Sequence, residues 1–207
     1  MTGTLLAFVV RLATGVRMTP EAEDPSPRVY FSNHSSHLDA LVIWAALPGH
    51  VRRRTRPVAA AEYWSRGPLR RWLSGRVFHA VLIPRDPAHM KSADPLGSML
   101  AALDAGSNLI VFPEGTRSET GEIGPFKPGL YHLAQKHPAV PLVPVYLENL
   151  NRILPKGEHL PVPLIGQAVF GSPLPPITEH EPKAEFLQRA RHAVIRLASG
   201  NLVPSHE

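Results

Sequence analysis

Two short segments hold the residues with the most chemistry. In Tyr30-Phe31-Ser32-Asn33-His34-Ser35-Ser36-His37-Leu38-Asp39 an apolar stretch runs into a polar turn and then into a second apolar stretch. On a continuous helix, residues five apart lie about 140° round from each other, so His34 and Asp39 would not meet there. With His34 in a turn and Asp39 in the first helical turn, the carboxylate can fold back onto one imidazole nitrogen. That fixes the tautomer and leaves the other nitrogen as a general base. Such a pair suits removal of the proton from an alcohol attacking an activated acyl group, a contribution of about 10²–10⁴ in rate, and Asp39 would stabilise the imidazolium that forms. Taken alone, the pattern also fits a capped turn around a satisfied core histidine.

The second segment, Ile110-Val111-Phe112-Pro113-Glu114-Gly115-Thr116-Arg117-Ser118, is again an apolar strand that ends in a tight polar turn. Pro113 and Gly115 shape the turn, Arg117 offers a planar fork suited to a phosphate, and Thr116 and Ser118 add hydroxyl donors. Glu114 is expected either to orient Arg117 or to bind a substrate hydroxyl. Arg85, closing Val81-Leu82-Ile83-Pro84-Arg85, is a further basic group just past a strand. Three strand ends carrying His–Asp, Arg and Glu–Arg describe one site for an alcohol that bears a phosphate.

To position these groups the chain must supply strands that end together, the place where α/β folds put their chemistry. Short apolar runs alternate with longer amphipathic stretches, the rhythm of an α/β domain. Strands are expected over residues 28–32, 57–61, 77–84, 108–112, 142–147 and 164–171, and helices over 36–47, 63–74, 92–105, 129–136 and 183–199. In the last helix Phe186, Leu187, Ala190, Val194 and Leu197 recur at helical spacing and should cover one sheet face. Ahead of this domain, residues 1–18 are apolar. A helix there places Leu5, Phe8, Val9, Leu12 and Val16 on one face beside Arg11 and Arg17, which suits an interfacial helix or one docked on the protein's own core. Residues 19–27, acidic and proline-rich, read as a linker, and 28–207 as the main domain.

The chain's 207 residues fit one compact domain, and the absence of cysteine excludes disulfides, thiolate nucleophiles and Cys-ligated metal. Its 22 Lys+Arg against 17 Asp+Glu give a net charge of +5. Between Arg52 and Arg76 eight arginines face the single acid Glu62, a local net of +7. That stretch is either a solvated face or the contact for an anionic partner. No segment reads as a membrane span: the longest uncharged run, 160–178, holds five prolines and two glycines. Residues 1–16 lack the layout of a signal peptide.

Asn33-His34-Ser35-Ser36-His37-Leu38-Asp39 resembles the N-H-x-S-x-x-D block, and Phe112-Pro113-Glu114-Gly115-Thr116-Arg117-Ser118 the F-P-E-G-T-R-S block, of the glycerolipid acyltransferases, most closely the lysophosphatidic acid acyltransferase branch. Val81–Arg85 is similar to the family's apolar strand ending in Arg, with Pro84 where the family often has a polar residue. Val143-Pro144-Val145 resembles its proline-bearing strand, and Phe126-Lys127-Pro128-Gly129 its F-K-x-G segment. These blocks fall in order between Asn33 and Val145, just over half the chain. One departure is that many members carry membrane-embedded N-terminal helices, where this chain has only residues 1–16.

The resemblance implies an α/β fold with a mixed central β-sheet flanked by helices and preceded by the short N-terminal apolar helix. It implies His34 as general base oriented by Asp39, and substrate contacts from Arg85, Glu114, Gly115, Thr116 and Arg117. The acyl group would come from acyl-CoA or acyl carrier protein. The acceptor would be a lysophospholipid, foremost 1-acyl-glycerol-3-phosphate giving phosphatidic acid, attacked directly without an acyl-enzyme, a metal or a cofactor. The expected partners are these substrates and an anionic membrane surface, not nucleic acid, with the protein peripheral on the cytoplasmic, inner face of a membrane.

Rival readings fare worse on spacing. His34, His37 and Asp39 look superficially like a metallo-hydrolase cluster, but there the first two His are two apart and an Asp-His pair follows, whereas Ala40 follows Asp39 here. His37 reads as a structural neighbour of the site. No Gly-x-Ser-x-Gly elbow makes Ser35 or Ser36 a nucleophile, and hydroxyls before a helix act as caps. Neither a dinucleotide fingerprint nor a P-loop is present. Two alternatives stay open: the same mechanism on another acceptor, either a different lysophospholipid or an acylated amino-acid lipid, and a non-catalytic module that binds nucleic acid through Arg52–Arg76 with Tyr63, Trp64 and Trp72 stacking on bases.

Overall fold

The computed structural model describes residues 2–14, 26–84, 94–118, 120–148 and 167–200. Six apolar segments form one sheet: β1 (Val29–Ser32), β2 (Thr55–Ala60), β3 (Val81–Ile83), β4 (Asn108–Val111), β5 (Leu142–Glu148) and β6 (Gln167–Phe170), in the order β3-β2-β4-β1-β5-β6. Neighbours run parallel except β5 and β6, which are antiparallel, so the sheet is mixed. Central strand β1 sets Val29 opposite both Leu109 and Leu142.

Successive strand residues point to opposite faces, and each face of this sheet builds its own core. Tyr30, Ile110, Val143, Val145 and Leu147 pack with helix α2 (Asp39–Ala46), with Val51 of α3 (Gly49–Arg52) and with α1 (Thr2–Thr14). Val29, Phe31, Leu109 and Leu142 pack on the other side with α6 (Pro95–Asp104), α7 (Gly129–Lys136) and α8 (Lys183–Gly200). In α8 Phe186, Ala190 and Val194 of the expected stripe are buried, with Ala193 beside them, and Leu187 and Leu197 are half-buried. α6 starts where Asp94 accepts the Gly97 N–H at 2.8 Å and Pro95 takes the first helical position.

The expected helix over 63–74 is broken into α4 (Ala61–Trp64), α5 (Pro68–Trp72) and a π-helical turn, Leu73–Val77. Gly67 at φ +79° interrupts it, since that conformation leaves the helix, and Pro68 then restarts it at N1. The π turn closes with the Phe78 N–H donating to Leu73 O at 2.9 Å. It takes Val77, the first residue of the strand expected over 77–84, and that strand shrinks to β3. Elsewhere the elements match the expected ones to within a few residues. Residues 19–25 of the linker, Val16, Arg17 and Arg85, and the start of the strand expected over 164–171, lie outside the described residues.

Two buried asparagines stitch the sheet at its opposite ends. At the strand starts Asn108 accepts the Arg28 N–H at 3.1 Å through Oδ1 and donates through Nδ2 to Thr55 Oγ1 at 3.1 Å, joining β1, β4 and β2. At the other end Asn33 donates to Leu147 O at 3.0 Å and accepts the Leu147 N–H at 2.8 Å, locking the chain after β1 onto β5.

α1 lies against α2, with Ala7 and Val10 buried and the backbone of Gly3 close enough that a Cβ there would sit 3.3 Å from the Trp44 ring. Arg11 secures it by donating from Nε to Ala45 O at 2.6 Å and from Nη2 to Leu47 O at 3.1 Å. These carbonyls end α2, where orphan acceptors and the helix dipole favour a cation. Arg52 also donates to Leu47 O, at 3.2 Å. Burial disfavours the Arg11 charge and lowers its pKa, and the two carbonyls offset that cost. Arg11→Ala is expected to lower stability by about 1–2 kcal/mol and to open α1 to chymotrypsin, while Arg11→Lys, which keeps one bond, falls between. Urea unfolding and limited proteolysis measure both, and an unchanged cleavage pattern would show that α1 docks without this anchor.

Candidate active site

Because β1, β4 and β5 are adjacent and parallel, the loops that leave their C-terminal ends emerge along one edge of the sheet. His34 follows β1, and the Glu114–Arg117 turn follows β4. They meet through Glu114, which is buried. Its Oε1 accepts the His34 backbone N–H at 2.8 Å, and its Oε2 accepts the Gly124 N–H at 2.9 Å. Ser118 N–H returns a bond of 2.8 Å to His34 O. The backbone of His34 is therefore held on both sides by the second motif. Glu114 was expected to orient Arg117 or to bind a substrate hydroxyl; in the structure its oxygens serve backbone amides instead.

The side chain of His34 is held as firmly as its backbone. Nδ1–H donates to Asp39 Oδ2 at 2.7 Å, and the imidazole stacks on Phe112 with centroids 4.3 Å apart and planes 21° apart. Asp39 has no exposed surface, and its Oδ2 also accepts the Ser35 N–H at 2.7 Å and the Ser36 N–H at 2.9 Å. The carboxylate folds back from the first turn of α2, as the five-residue spacing required. Ser36 Oγ accepts the Leu38 N–H at 3.2 Å, so this hydroxyl shapes the turn into the helix. His34 Nε2 makes no hydrogen bond among the described residues. The arrangement is an oriented imidazole with one nitrogen engaged and the other able to accept a proton.

Two cations lie at the turn after β4. Arg117 is half-buried and makes no hydrogen bond or ion pair among the described residues, and Thr116 beside it is exposed. Gly115 adopts φ +72°, and a Cβ there would fall 2.8 Å from both Cδ and Nζ of Lys127. Glycine is therefore required at this position by conformation and by space. Lys127 itself is tied by its N–H to Pro113 O at 2.8 Å. Reasoning from sequence left Lys127 out of the site, although the F-K-x-G segment was its signal. It also missed Asn33, whose amide bonds to β5 leave no pattern along the chain.

His37 lies beside the dyad without joining it. Its ring stacks on Tyr63 at 5.0 Å and 15°, and the Arg70 guanidinium sits 4.2 Å from the Tyr63 centroid on α5. Burial removes part of the ring's hydration, and this desolvation lowers its pKa most. The charges of Arg117, His34 and Arg70 lower it further, and Asp39 opposes them. Arg117, from the turn after β4, and Arg70, from α5, thus act on the same small region. Among the described residues no group of three or more His, Cys, Asp or Glu is placed to hold a metal ion.

Residues 15–148 match the protein family described as Acyltransferase. The chain is 35% identical over 156 residues to 1-acyl-sn-glycerol-3-phosphate acyltransferase alpha of Ovis aries, covering 74% of this chain and 51% of that protein. It is equally identical to the Homo sapiens protein of the same name, covering 74% and 52%. It is 29% identical over 145 residues to the chloroplastic acyltransferase BAT2 of Brassica napus, covering 70% and 39%. The chain thus spans about half the length, or less, of these curated relatives. Among solved structures, the crystal structure of the 1-acyl-sn-glycerophosphate (LPA) acyltransferase PlsC from Thermotoga maritima shares the fold, with a TM-score of 0.77 at 20% identity over 99% of this chain and 81% of that one.

The shift of His37 gives the site a signature in solution. A histidine whose folded pKa is depressed contributes stability that is complete above about pH 6.5 and is lost as pH falls through the folded value. In a proton NMR titration His37 is expected to titrate below the ordinary histidine range, and Arg117→Ala is expected to move its midpoint upward. A midpoint indifferent to Arg117 would place that cation away from His37.

Proposed function

We propose that this chain, which belongs to the acyltransferase family, moves a fatty acyl group from the thioester of acyl-CoA or of an acyl carrier protein to the free hydroxyl of a lysophospholipid. The acceptor is 1-acyl-glycerol-3-phosphate and the product phosphatidic acid. The observation that carries the reading is the His34–Asp39 contact at 2.7 Å, with Nε2 making no hydrogen bond among the described residues and with Arg117 two residues from Gly115, against which Lys127 lies. The names of the relatives, proteins of which this chain spans about half, favour the glycerol-phosphate acceptor.

In this reaction Nε2 of His34 accepts the hydroxyl proton as the hydroxyl oxygen bonds to the thioester carbon and the carbonyl electron pair moves onto its oxygen. Collapse of the tetrahedral intermediate re-forms the carbonyl and breaks the C–S bond. The proton on Nε2 passes to sulfur, the thiol departs, and His34 is neutral again. Asp39 holds the ring and stabilises the imidazolium between the two transfers. No acyl-enzyme, metal or cofactor takes part.

Arg117 and Lys127 complement the acceptor phosphate, Arg117 with a fork that can bind it twice. Thr116 adds a hydroxyl, and Gly115 keeps the turn open for Lys127. Glu114 acts by positioning His34, and Arg85 is assigned to the same phosphate by its motif. The acceptor is a lipid, and Leu5, Phe8, Val9 and Leu12, exposed on the outer side of α1, support peripheral attachment to the inner, cytoplasmic face of an anionic membrane. No helix among the described residues is long and apolar enough to cross a membrane.

The test is thiol release from palmitoyl-CoA with and without lysophosphatidic acid, with the lipid product followed by mass. The wild-type chain is expected to show acceptor-dependent release, and His34→Ala to reduce it by about 10²–10⁴ with the fold intact. Arg117→Ala is expected to raise the KM for the acceptor by roughly tenfold or more. Release that needs no acceptor would instead mark a thioesterase, and full turnover in His34→Ala would remove the general base.

A further inference from the structure

Between β2 and β3 the chain makes a projecting turn whose outer surface the dyad does not use. Leu69 and Trp72 lie three apart on α5 and share one side of it, yet they are 65% and 44% exposed. The foot of the turn is well buried: Phe78 is 5% exposed and meets Trp44 edge-on at 5.0 Å and Trp64 at 6.1 Å, and Leu73 and Val77 pack on the same core. Core packing therefore explains why the turn is anchored and leaves its two apolar tips unexplained. Around those tips Arg66, Arg70, Arg71 and Arg76 are all exposed.

We propose that this turn is a membrane contact, with Leu69 and Trp72 entering the interfacial zone of an anionic bilayer while the arginines meet lipid headgroups. The inference rests on the reading that the acceptor is a lipid. The chemistry of the patch fits that partner. Tryptophan is favoured at the membrane–water interface, where its ring is partly buried and its N–H remains hydrated. A cluster of basic residues is drawn to anionic headgroups. The only acid between Arg52 and Arg76 is Glu62, on α4 rather than at the tips. A nucleic-acid partner would account for the arginines but would leave Leu69 without a role.

The turn lies on the same face of the sheet as α1. α1 packs on α2 at Trp44, and the same Trp44 ring meets Phe78 at the foot of the turn. Contact through α1 alone would leave the protein free to rotate about that helix. A second contact at α5 fixes the rotation. It also sets the dyad close to headgroup level, because Arg70 of the same short helix covers Tyr63, on which His37 stacks.

Trp72 provides its own probe, since Trp44 is 3% exposed and Trp64 is half-buried. The full chain is mixed with vesicles of phosphatidylcholine alone or with phosphatidylglycerol, some carrying brominated acyl chains. Binding is expected to need phosphatidylglycerol, and emission to shift to the blue and be quenched by bromine, a response lost in Trp72→Phe. The double variant Leu69→Ser with Trp72→Ser is expected to partition roughly tenfold more weakly or worse. Arg71→Gln is expected to weaken partitioning about fivefold. The double variant should still transfer acyl groups to a short-chain acceptor free in water, which separates lost docking from lost folding.

Unaltered partitioning of the double variant, or a Trp72 that bromine does not quench, would overturn the proposal. So would tighter binding to a DNA duplex than to anionic vesicles, abolished by Arg71→Gln. If the wild-type chain bound vesicles in this way but transferred no acyl group to the soluble acceptor, the function reading would fail while the membrane contact stood.

Discussion

The buried carboxylate of Glu114 joins three separate stretches of chain, and the geometry of the site depends on it. A carboxylate removed from water must find donors, and this one takes the N–H of His34, which follows β1, and the N–H of Gly124, beyond the turn after β4. His34 is thereby fixed at its backbone as well as through its ring at Asp39. Asp39 meets that requirement at one oxygen only: Oδ2 collects the N–H groups of Ser35 and Ser36 together with His34 Nδ1, and the buried Oδ1 has no partner among the described residues. Two acidic side chains and their backbone donors thus hold one imidazole against Phe112 with little freedom left. Preorganisation of this kind lets a proton acceptor work without rearranging during the reaction.

Much of the site was readable because its two blocks are short and each crosses from a strand into a turn. The fold-back of Asp39 followed from the angular separation of residues five apart, and the alternation of apolar runs carried the α/β class, with the mixed sheet implied by the family resemblance. The limits of that reading are equally physical. Sequence shows that Glu114 is near something polar but not that its partners are amides 80 residues earlier and 10 later. The bonds of Asn33 and Asn108 are long-range in the same way, since nothing near either residue announces a partner strand. The break between α4 and α5 was available in Gly67-Pro68, yet apolar periodicity outweighed it. The π turn that follows has no pattern of its own.

The N-terminal helix shows how one pattern can serve two surfaces. Periodicity put Leu5, Phe8, Val9 and Leu12 on a single face and left open whether that face looked inward or outward. In the structure they are exposed, and the smaller Ala7 and Val10, with Gly3, form the side against α2. Small residues allow close approach to Trp44, and Arg11 reaches the end of α2 from there. The large apolar side chains are thus free of the core.

The register of the central strand carries a consequence for how the molecule assembles. β1 pairs with β4 and β5, and Val29 must find Leu109 and Leu142, 80 and 113 residues further along. Contacts of such large sequence separation form slowly, because the entropy of closing long loops is lost before the pairing compensates for it. The bond between His34 and Asp39 is local, but the clamp from Glu114 exists only once β4 lies beside β1. A chain emerging from the ribosome would therefore hold His34 and Asp39 together long before Glu114 could fix the His34 backbone, and the complete arrangement would arrive with one of the last events of folding.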